Sequence, residues 1–261
     1  MSAGPKINNA LPPVSLIVIT RDEEAVIGQC LASARPFCRE LVVVDSGSTD
    51  HTVEIARSLG ARVIVHEFTN YVQQKQIALD HASCEWVLLL DADEQATYDL
   101  RCEIERAICS PQAAEGYRIP RLLYHLRRYD TRALYRDRPV RLFRRSCGHI
   151  GGVDPHDKVV VNGRIEHLHA PILHFSYRDI AAHINTMNRF STRAAAQLRP
   201  SPFTAVRMVT HPLWYFFNFY VLRGGFLEGV PGFYAATTAA FYAFLKYAKV
   251  YEHHLSSIRP R

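Results

Sequence analysis

An apolar run that ends in three carboxylates is the feature that most constrains the fold of this chain. Residues 86–90 read Trp-Val-Leu-Leu-Leu, and Asp91, Asp93 and Glu94 follow directly. Such a run predicts a strand that is buried on both faces, as in the parallel sheets of α/β proteins. Because ligands of open α/β sheets bind at the carboxyl ends of the strands, the three acids are candidates for a binding site.

The spacing of the two aspartates indicates what they could bind. In an extended chain Asp91 and Asp93 point to the same side. Carboxylates so placed suit Mg²⁺ or Mn²⁺, with part of the coordination sphere left for a diphosphate. The alternative is a strand end whose acids are solvated or cap the next helix, since acids are common at such positions. These residues alone leave both interpretations open.

Strand-like and helix-like segments alternate along the first part of the chain. The β-rich runs are residues 14–19, 41–44, 62–65 and 86–90. Helical patterns lie between them, for example over residues 73–82. The alternation predicts an α/β fold, with a mainly parallel sheet flanked by helices. Thr20, Asp45 and Asp91 all follow predicted strands, so we expect them at one edge of the sheet.

Composition limits the class of protein. With 261 residues, 48% hydrophobic and 21% charged, the chain can bury a full core. A net charge of +6 indicates an anionic partner such as a nucleotide, a phosphorylated sugar, a nucleic acid or an acidic membrane surface. The six cysteines form no C-x-x-C pair, which favours reduced thiols. Residues 1–13 lack the features of a secretory signal, so we expect a cytoplasmic protein.

No glycine-rich phosphate loop follows the first two strands, so a metal must hold a bound diphosphate. Three blocks occur instead, at residues 20–24 (TRDEE), 44–50 (VDSGSTD) and 90–94 (LDADE). In this order they resemble the GT-A nucleotide-diphospho-sugar domain of family 2 inverting glycosyltransferases. Residues 74–78, 141–145 and 222–229 resemble lipopolysaccharide core β-glucosyltransferases. The resemblance covers nearly the whole chain after the first dozen residues.

The resemblance implies roles for individual residues. Thr20 and Asp45 match positions that hold the base and ribose of the donor. Lys75 matches a basic position near the base or diphosphate, and Asp91 and Asp93 match the motif that binds ribose, metal and diphosphate. The implied cofactor is Mg²⁺ or Mn²⁺. Read from the residues alone, Asp45 could instead form an Asx turn, and Lys75 could lie on a solvated helix face.

An inverting transfer also needs a base that deprotonates the acceptor hydroxyl. The best candidate segment is residues 151–158, GGVDPHDK, where His156 and Asp157 stand in the place of a His-Glu pair in the relatives. We expect Asp157 to be the base. Since Asp is one methylene shorter than Glu, Asp154 and His156 remain alternatives.

The predicted domains are a tail over residues 1–13, a catalytic domain over 14–200 and a helical appendage over 201–261. In the appendage, the aromatic run 212–222 is too short to span a bilayer, and the helical stretch 233–251 resembles an interfacial helix. Packing on the catalytic domain and peripheral contact with an anionic membrane surface both remain open. The residues expected at the headgroups are Trp214, Tyr215, Phe216, Phe217, Phe219, Tyr220, Arg223, Lys246 and Lys249.

The sequence therefore predicts an enzyme that transfers a hexose, with UDP-glucose as the expected donor, onto a lipopolysaccharide core or related saccharide acceptor. One alternative is a catalytically silent nucleotide-sugar-binding or membrane scaffold protein, because the His-Asp block departs from the family pattern. Another is a nucleic-acid-binding module, since arginines and tyrosines interleave over residues 117–145. The ordered acidic blocks argue against nucleic acid. His167, His169 and His174 complete no structural zinc pattern, and we assign no zinc.

Overall fold

The computed structural model describes residues 13–125, 128–130, 138–154, 156–175 and 179–258. They fall into two compact units. The first contains the described residues of Met1–Arg121 and Asp137–His174, and the second those of Leu122–Arg136 and Phe175–Arg261. The predicted boundary between residues 200 and 201 stays a prediction. The predicted tail lies outside the described residues except for Pro13.

Strands and short helices mostly alternate over residues 14–108, whereas the described residues from 116 to 174 form strands without a helix and those after 179 are mainly helical. The strands are β1 Val14–Thr20, β2 Glu40–Asp45, β3 Arg62–Val65, β4 Trp86–Leu89, β5 Glu94–Ala96, β6 Gly116–Arg118, β7 Arg121–His125, β8 Arg128–Asp130, β9 Val140–Arg144, β10 Gly148–Val153, β11 His156–Val161, β12 Ile165–His167 and β13 Ile172–His174. The helices are α1 Ile27–Ala34, α2 Thr52–Ser58, α3 Tyr71–Asp80, α4 Tyr98–Ile108, α5 Ile180–Ala196, α6 Thr204–Phe217 and α7 Val230–Ile258.

The central sheet has seven strands in the order β12-β6-β9-β4-β1-β2-β3. β4, β1, β2 and β3 run parallel to one another, and β12 runs parallel to β6. β9 is antiparallel to both of its neighbours, β4 and β6. The predicted α/β fold with a mainly parallel sheet and a helical C-terminal part is therefore confirmed.

Burial on both faces explains why the strands are so apolar. Leu16 of β1 belongs to a core cluster that includes the buried side chains of α1 and α4, whereas its neighbour Ile17 belongs to a cluster that includes α3. All four residues of β4 are buried in the same alternating way. Side chains that alternate between two packed layers need no polar face. The strand ends are thus the first places where polar side chains can collect.

The second unit is mostly helical. Helix α6 contains Pro212 and continues into a π-helical turn, Asn218–Leu222, and a 3-10 turn, Gly225–Glu228, before α7 begins. β7 and β8 form an antiparallel hairpin. Among the described residues, no helix combines the length and apolar character needed to cross a membrane.

Candidate active site

The candidate site lies where β1, β2 and β4 end. Thr20 and Asp45 are direct partners in the parallel register of β1 and β2, and Ser46 N donates to Thr20 O at 2.9 Å. On the other side of β1, Leu90 N donates to Ile17 O at 3.2 Å, which brings Asp91 to the same edge. The structure thus brings together three residues that the sequence placed at strand ends.

The loops after β1 and β2 are joined by hydrogen bonds between side chains of one loop and backbone groups of the other. Asp22 has a φ of 53°, a left-handed conformation that is uncommon outside glycine. Its backbone N donates to Ser48 Oγ at 2.9 Å, and its Oδ1 accepts from Thr49 N at 2.7 Å. Glu24 N donates to Asp50 Oδ2 at 3.1 Å. Two of the three sequence blocks therefore form one structured rim beside the strand ends.

Asp45 is buried, and its carboxylate forms the Asx turn that the sequence left open. Oδ2 accepts from Gly47 N and Ser48 N, both at 2.9 Å, and Oδ1 accepts from the Ser48 hydroxyl. A carboxylate offers about four acceptor positions. The turn uses three of them, so Asp45 keeps room for one more donor. Its role toward ribose or base stays a prediction.

Thr20 has an unusual buried hydroxyl. The residue is 5% exposed, and within the described part of the chain its Oγ1 has no hydrogen-bond partner. Leaving a buried polar group unpaired costs about 1–3 kcal/mol. A hydroxyl in this state at a strand end is suited to complete its bonding with a ligand or an ordered water.

Lys75 joins two of the predicted site acids. Its helix, α3, begins after Asn70, whose side chain accepts from Gln73 N. Lys75 Nζ lies 2.9 Å from Asp91 Oδ1 and 2.8 Å from Asp157 Oδ2. The residue is buried, so it does not lie on a solvated helix face. Burial opposes its charge, but the two carboxylates outweigh burial and raise the pKa of Lys75 above its usual value.

A buried arginine completes this network. Arg141 Nη2 lies 2.8 Å from Asp91 Oδ2 and 2.9 Å from Glu94 Oε1. Glu94 also accepts from Arg121 Nη1 at 3.1 Å and from Asp91 N at 2.9 Å. Burial disfavours the charged form of Asp91, but Arg141 and Lys75 prevail and hold the pKa of that carboxyl well below its usual range. We call Asp91, Glu94, Arg141 and Lys75 the inner network.

The two aspartates of the acidic block have different surroundings. Both oxygens of Asp91 are engaged in ion pairs, so its predicted part in metal binding stays a prediction. Asp93 Oδ2 lies 3.2 Å from His174 Nε2, with the side chains 27% and 13% exposed respectively. β13 brings His174 there by pairing antiparallel with β5. We call Asp93 and His174 the outer pair.

The outer pair fits a divalent ion, although no group of three or more His, Cys, Asp or Glu side chains among the described residues forms a metal site by itself. Neighbouring ligands of an octahedral Mg²⁺ lie about 3 Å apart, because each is about 2.1 Å from the ion. The 3.2 Å between Asp93 Oδ2 and His174 Nε2 agrees with that spacing. The Asp93 carboxylate supplies the oxygen donor that suits Mg²⁺ and Mn²⁺.

The hairpin β10–β11 carries the candidate bases. Asp157 Oδ2 reaches Lys75, as described, and its side chain is 17% exposed. Asp154 Oδ1 instead accepts a hydrogen bond of 2.9 Å from the backbone N of Tyr71, the first residue of α3. The side chain of His156 lies outside the described residues. Of the two described candidates, Asp157 is the one in contact with the inner network.

Sequence reasoning missed the contributions of Arg141 and His174. Arg141 stood in a block that carried the resemblance, but nothing in its spacing tied it to Asp91. His174 was considered only for zinc. On a nucleic-acid-binding surface the arginines would be directed to solvent. Here Arg141 and Arg121 form ion pairs with acidic residues, and Arg144 lies over the Trp86 ring at 4.6 Å from its centroid. The side chains of Arg127, Arg128, Arg132 and Arg136 lie outside the described residues.

The fold and the acidic strand end define an α/β protein of the nucleotide-diphospho-sugar transferase class. Residues 15–148 match the family described as Glycosyl transferase family 2. Full-length relatives agree with this match. The chain belongs to glycosyl transferase family 2.

Two relatives show how far the similarity extends. An uncharacterized glycosyltransferase of Rickettsia typhi is 32% identical over 258 residues, covering 94% of this chain and 88% of the relative. The lipopolysaccharide core biosynthesis glycosyltransferase LpsC of Rhizobium meliloti is 31% identical over 261 residues, covering 95% of each chain. The similarity therefore includes the helical C-terminal part as well as the sheet.

Solved structures show the same fold. The mannosyltransferase PcManGT of Pyrobaculum calidifontis, in complex with GDP-Man and Mn²⁺, has a TM-score of 0.55 and 16% sequence identity, covering 93% of this chain and 88% of that one. At this identity the likeness concerns the fold.

Proposed function

We propose that this enzyme transfers a hexose, with inversion, from a nucleoside diphosphate sugar to a lipopolysaccharide core or related saccharide acceptor, with UDP-glucose as the donor to test first. The observation that carries the proposal is the path from Asp91 through Lys75 to Asp157, formed by ion pairs of 2.9 and 2.8 Å. It joins the donor motif to a carboxylate suited to act as base. The similarity to LpsC supports the acceptor class.

The donor would lie across the strand ends. The unpaired Thr20 hydroxyl and the remaining acceptor position of Asp45 are suited to the base and ribose. Lys75 and Arg141 keep positive charge beside the diphosphate. Their ion pairs to Asp91 hold both cations in place before the donor arrives, which reduces the reorganisation that accompanies the reaction.

Asp93 and His174 are the residues that would hold Mg²⁺ or Mn²⁺. The bound ion supplies positive charge that stabilises the departing diphosphate. The cofactor proposal thus rests on two side chains of this chain and on oxygens of the donor.

Asp157 would act on the acceptor. Its Oδ2 is held by Lys75, which leaves Oδ1 to take the proton of the acceptor hydroxyl. The hydroxyl oxygen then forms a bond to the anomeric carbon as the bond to the diphosphate oxygen breaks, and the diphosphate leaves with the electron pair. Attack from the side opposite the leaving group inverts the anomeric configuration.

The decisive experiment is a donor screen with the purified chain and Mg²⁺ or Mn²⁺, read by release of nucleoside diphosphate. UDP-glucose with a core saccharide acceptor should give the fastest release. If release is fast only with another nucleotide sugar, the proposed donor is wrong but the proposed glycosyl transfer stands. Absence of both donor hydrolysis and transfer with every donor would favour the silent nucleotide-sugar-binding or scaffold alternative.

We further propose a cytoplasmic location with peripheral contact to the membrane that carries the acceptor. The second unit exposes large apolar side chains, among them Leu213 and Trp214, which are 67% and 56% exposed. Exposed apolar surface of this kind is typical of proteins that meet a lipid surface. Cell fractionation after a high-salt wash, followed by detection of the enzyme, tests the location.

A further inference from the structure

The junction between α6 and α7 exposes a cluster of apolar side chains. It comprises residues 217–230, and we call it the apolar tip. Six of its side chains are exposed, each by 44% to 76%. They are Phe217, Val221, Leu222, Phe226, Leu227 and Val230. Single exposed apolar residues are ordinary, but a cluster on one short segment marks an interaction surface.

The backbone of the apolar tip is already hydrogen-bonded within the second unit. Arg223 N donates to Asn218 O at 2.9 Å, Gly224 N to Val221 O at 3.1 Å, and Leu227 N to Gly224 O at 3.0 Å. In a hydrocarbon environment each unpaired backbone group costs several kcal/mol, so a segment that enters lipid must satisfy these groups itself. The turns of the tip meet that requirement at these positions.

Close glycine contacts hold the shape of the tip. A Cβ on Gly232 would collide with Gly225 O, so the start of α7 and the 3-10 turn touch backbone to backbone. Gly224 adopts a φ of 76°, which other residues rarely do. The tip therefore presents its apolar side chains from a fixed backbone.

Charge is nearly absent from this region. Between residues 208 and 245 the only Asp, Glu, Lys or Arg residues are Arg223 and Glu228, which have opposite signs. Arg223 Nε donates to Asn218 Oδ1 at 3.0 Å, and its guanidinium lies 4.3 Å from the centroid of the Phe219 ring. This cation is thus engaged within the second unit.

The other two cations expected at lipid headgroups are engaged as well. Lys249 Nζ donates to Asn188 O, Ser191 Oγ and Thr192 Oγ1 at 2.7–2.8 Å. Lys246 Nζ lies 4.8 Å from the centroid of the Tyr247 ring, and burial lowers the pKa of Lys246. All three cations already have partners in their own unit, and the expectation that they attract anionic lipid stays a prediction.

We infer that the apolar tip docks into the hydrocarbon boundary of a lipid bilayer, and that burial of apolar surface rather than charge provides the affinity. The inference deepens the proposed membrane contact and rests on it. A second copy of the chain is a poorer occupant, since a stable protein interface needs about 20–30 residues on each side, whereas the tip offers six exposed side chains. Lipid accepts a small apolar segment without a complementary surface.

Flotation of the full chain with vesicles of phosphatidylcholine tests the inference. We expect binding to neutral vesicles that changes little when phosphatidylglycerol or high sodium chloride is added. Replacing three exposed tip residues together, Leu222→Ser, Leu227→Ser and Val230→Ser, should weaken partitioning on the order of a hundredfold. Donor hydrolysis by the soluble protein should be unchanged, because none of the three belongs to the candidate active site.

A matched triple variant outside the tip provides the control. Ile180, Ile184 and Leu198 lie in the same unit and are 40% to 46% exposed. Changing all three to Ser should leave partitioning within a fewfold of the parent. The inference fails if the parent ignores neutral vesicles, if binding requires anionic lipid and is lost in salt, or if both triple variants lose binding equally. It also fails if light scattering shows a dimer that the tip variant alone dissociates. Each of these outcomes leaves glycosyl transfer in solution untouched.

Discussion

The inner network and the outer pair lie side by side in one acidic block, yet they are built differently. In the inner network every carboxylate oxygen of Asp91 and Glu94 accepts from an arginine, a lysine or a backbone N–H. In the outer pair, Asp93 lies beside His174, while its side chain is about as exposed as that of Asp91, at 27% against 30%. Two aspartates separated by one residue therefore have different partners.

This difference in partners predicts how strongly each group contributes to the stability of the fold. Charges that are buried and mutually paired stabilise the fold mainly because removing one of them leaves the others unpaired. Asp93 is paired with an imidazole and not with the buried lysine and arginines, so a metal or a substrate can replace that partner at little cost in stability. We therefore expect changes in the inner network to alter stability as well as turnover, and changes in the outer pair to alter turnover alone.

The largest effect should follow from breaking the inner network at Glu94. The change Glu94→Gln keeps the shape but removes the charge shared by Arg141 and Arg121. Loss of one partner from a buried ion pair costs about 3–5 kcal/mol, so the free energy of unfolding should fall by that order. Urea denaturation measures it. A loss below about 1 kcal/mol would mean that the network is not structural.

The next effect concerns the proposed base. Asp157→Asn should lower turnover on the order of a thousandfold, because general base catalysis typically contributes 10²–10⁴ and the amide cannot take the proton. Donor affinity, measured by calorimetry, should change little, since Asp157 acts in the transition state. The variant Asp154→Asn serves as the comparison. If it silences the enzyme while Asp157→Asn does not, the assignment of the base is wrong.

Changes in the outer pair should give a smaller loss of rate and almost no loss of stability. Asp93→Asn should lower turnover on the order of a hundredfold, because the departing diphosphate loses its counter-ion. His174→Ala should have a similar effect, and excess chelator should abolish activity in the parent. Near-native rates for Asp93→Asn, or full turnover in chelator, would contradict the metal assignment. A large fall in melting temperature would show that the outer pair is structural after all.

Much of the fold could be predicted from the sequence because the strands of a buried parallel sheet are unmistakably apolar. Strand β3 was predicted with its observed bounds, and β1 and β4 were predicted to within one residue. The antiparallel insertion of β9 could not be foreseen, since its apolar run looks like any other buried strand. Whether a strand runs parallel or antiparallel to its neighbours depends on how the chain connects them, and a local sequence pattern does not show that.

The candidate site was predictable only where residues lie close in sequence. The strand ends placed Asp91 and Asp93, but the partners that distinguish them, Arg141 and His174, come from β9 and β13. In the second unit the composition predicted helices correctly, yet it gave no sign that Lys249 would be engaged by α5. Contacts between residues far apart in sequence thus determine the partners of each charged side chain.

A pH titration can sharpen the comparison further. The pKa of Asp91 in the folded protein is lower than its unfolded value of about 3.8. The ionised carboxylate therefore contributes its full stabilisation at pH values above the unfolded pKa. The contribution is lost as the pH falls through the folded pKa. The free energy of unfolding should therefore decline on acidification below about pH 4, and Asp91→Asn should show a shallower decline. Equal slopes for parent and variant would place the acid sensitivity elsewhere.

The smallest expected effect lies at the start of α3, the helix of Lys75, where Asp154 joins the β10–β11 hairpin to Tyr71 N. Asp154→Ala removes a charged acceptor at a helix start, a change that costs about 1 kcal/mol of stability. Because the same hairpin carries Asp157, turnover should fall by several-fold while donor affinity stays constant. Asp154→Asn keeps an acceptor oxygen and should recover most of both losses. If Asn fails to recover activity although stability returns, the charge of Asp154 takes part in the reaction and the separation between structural and chemical acids breaks down at this residue.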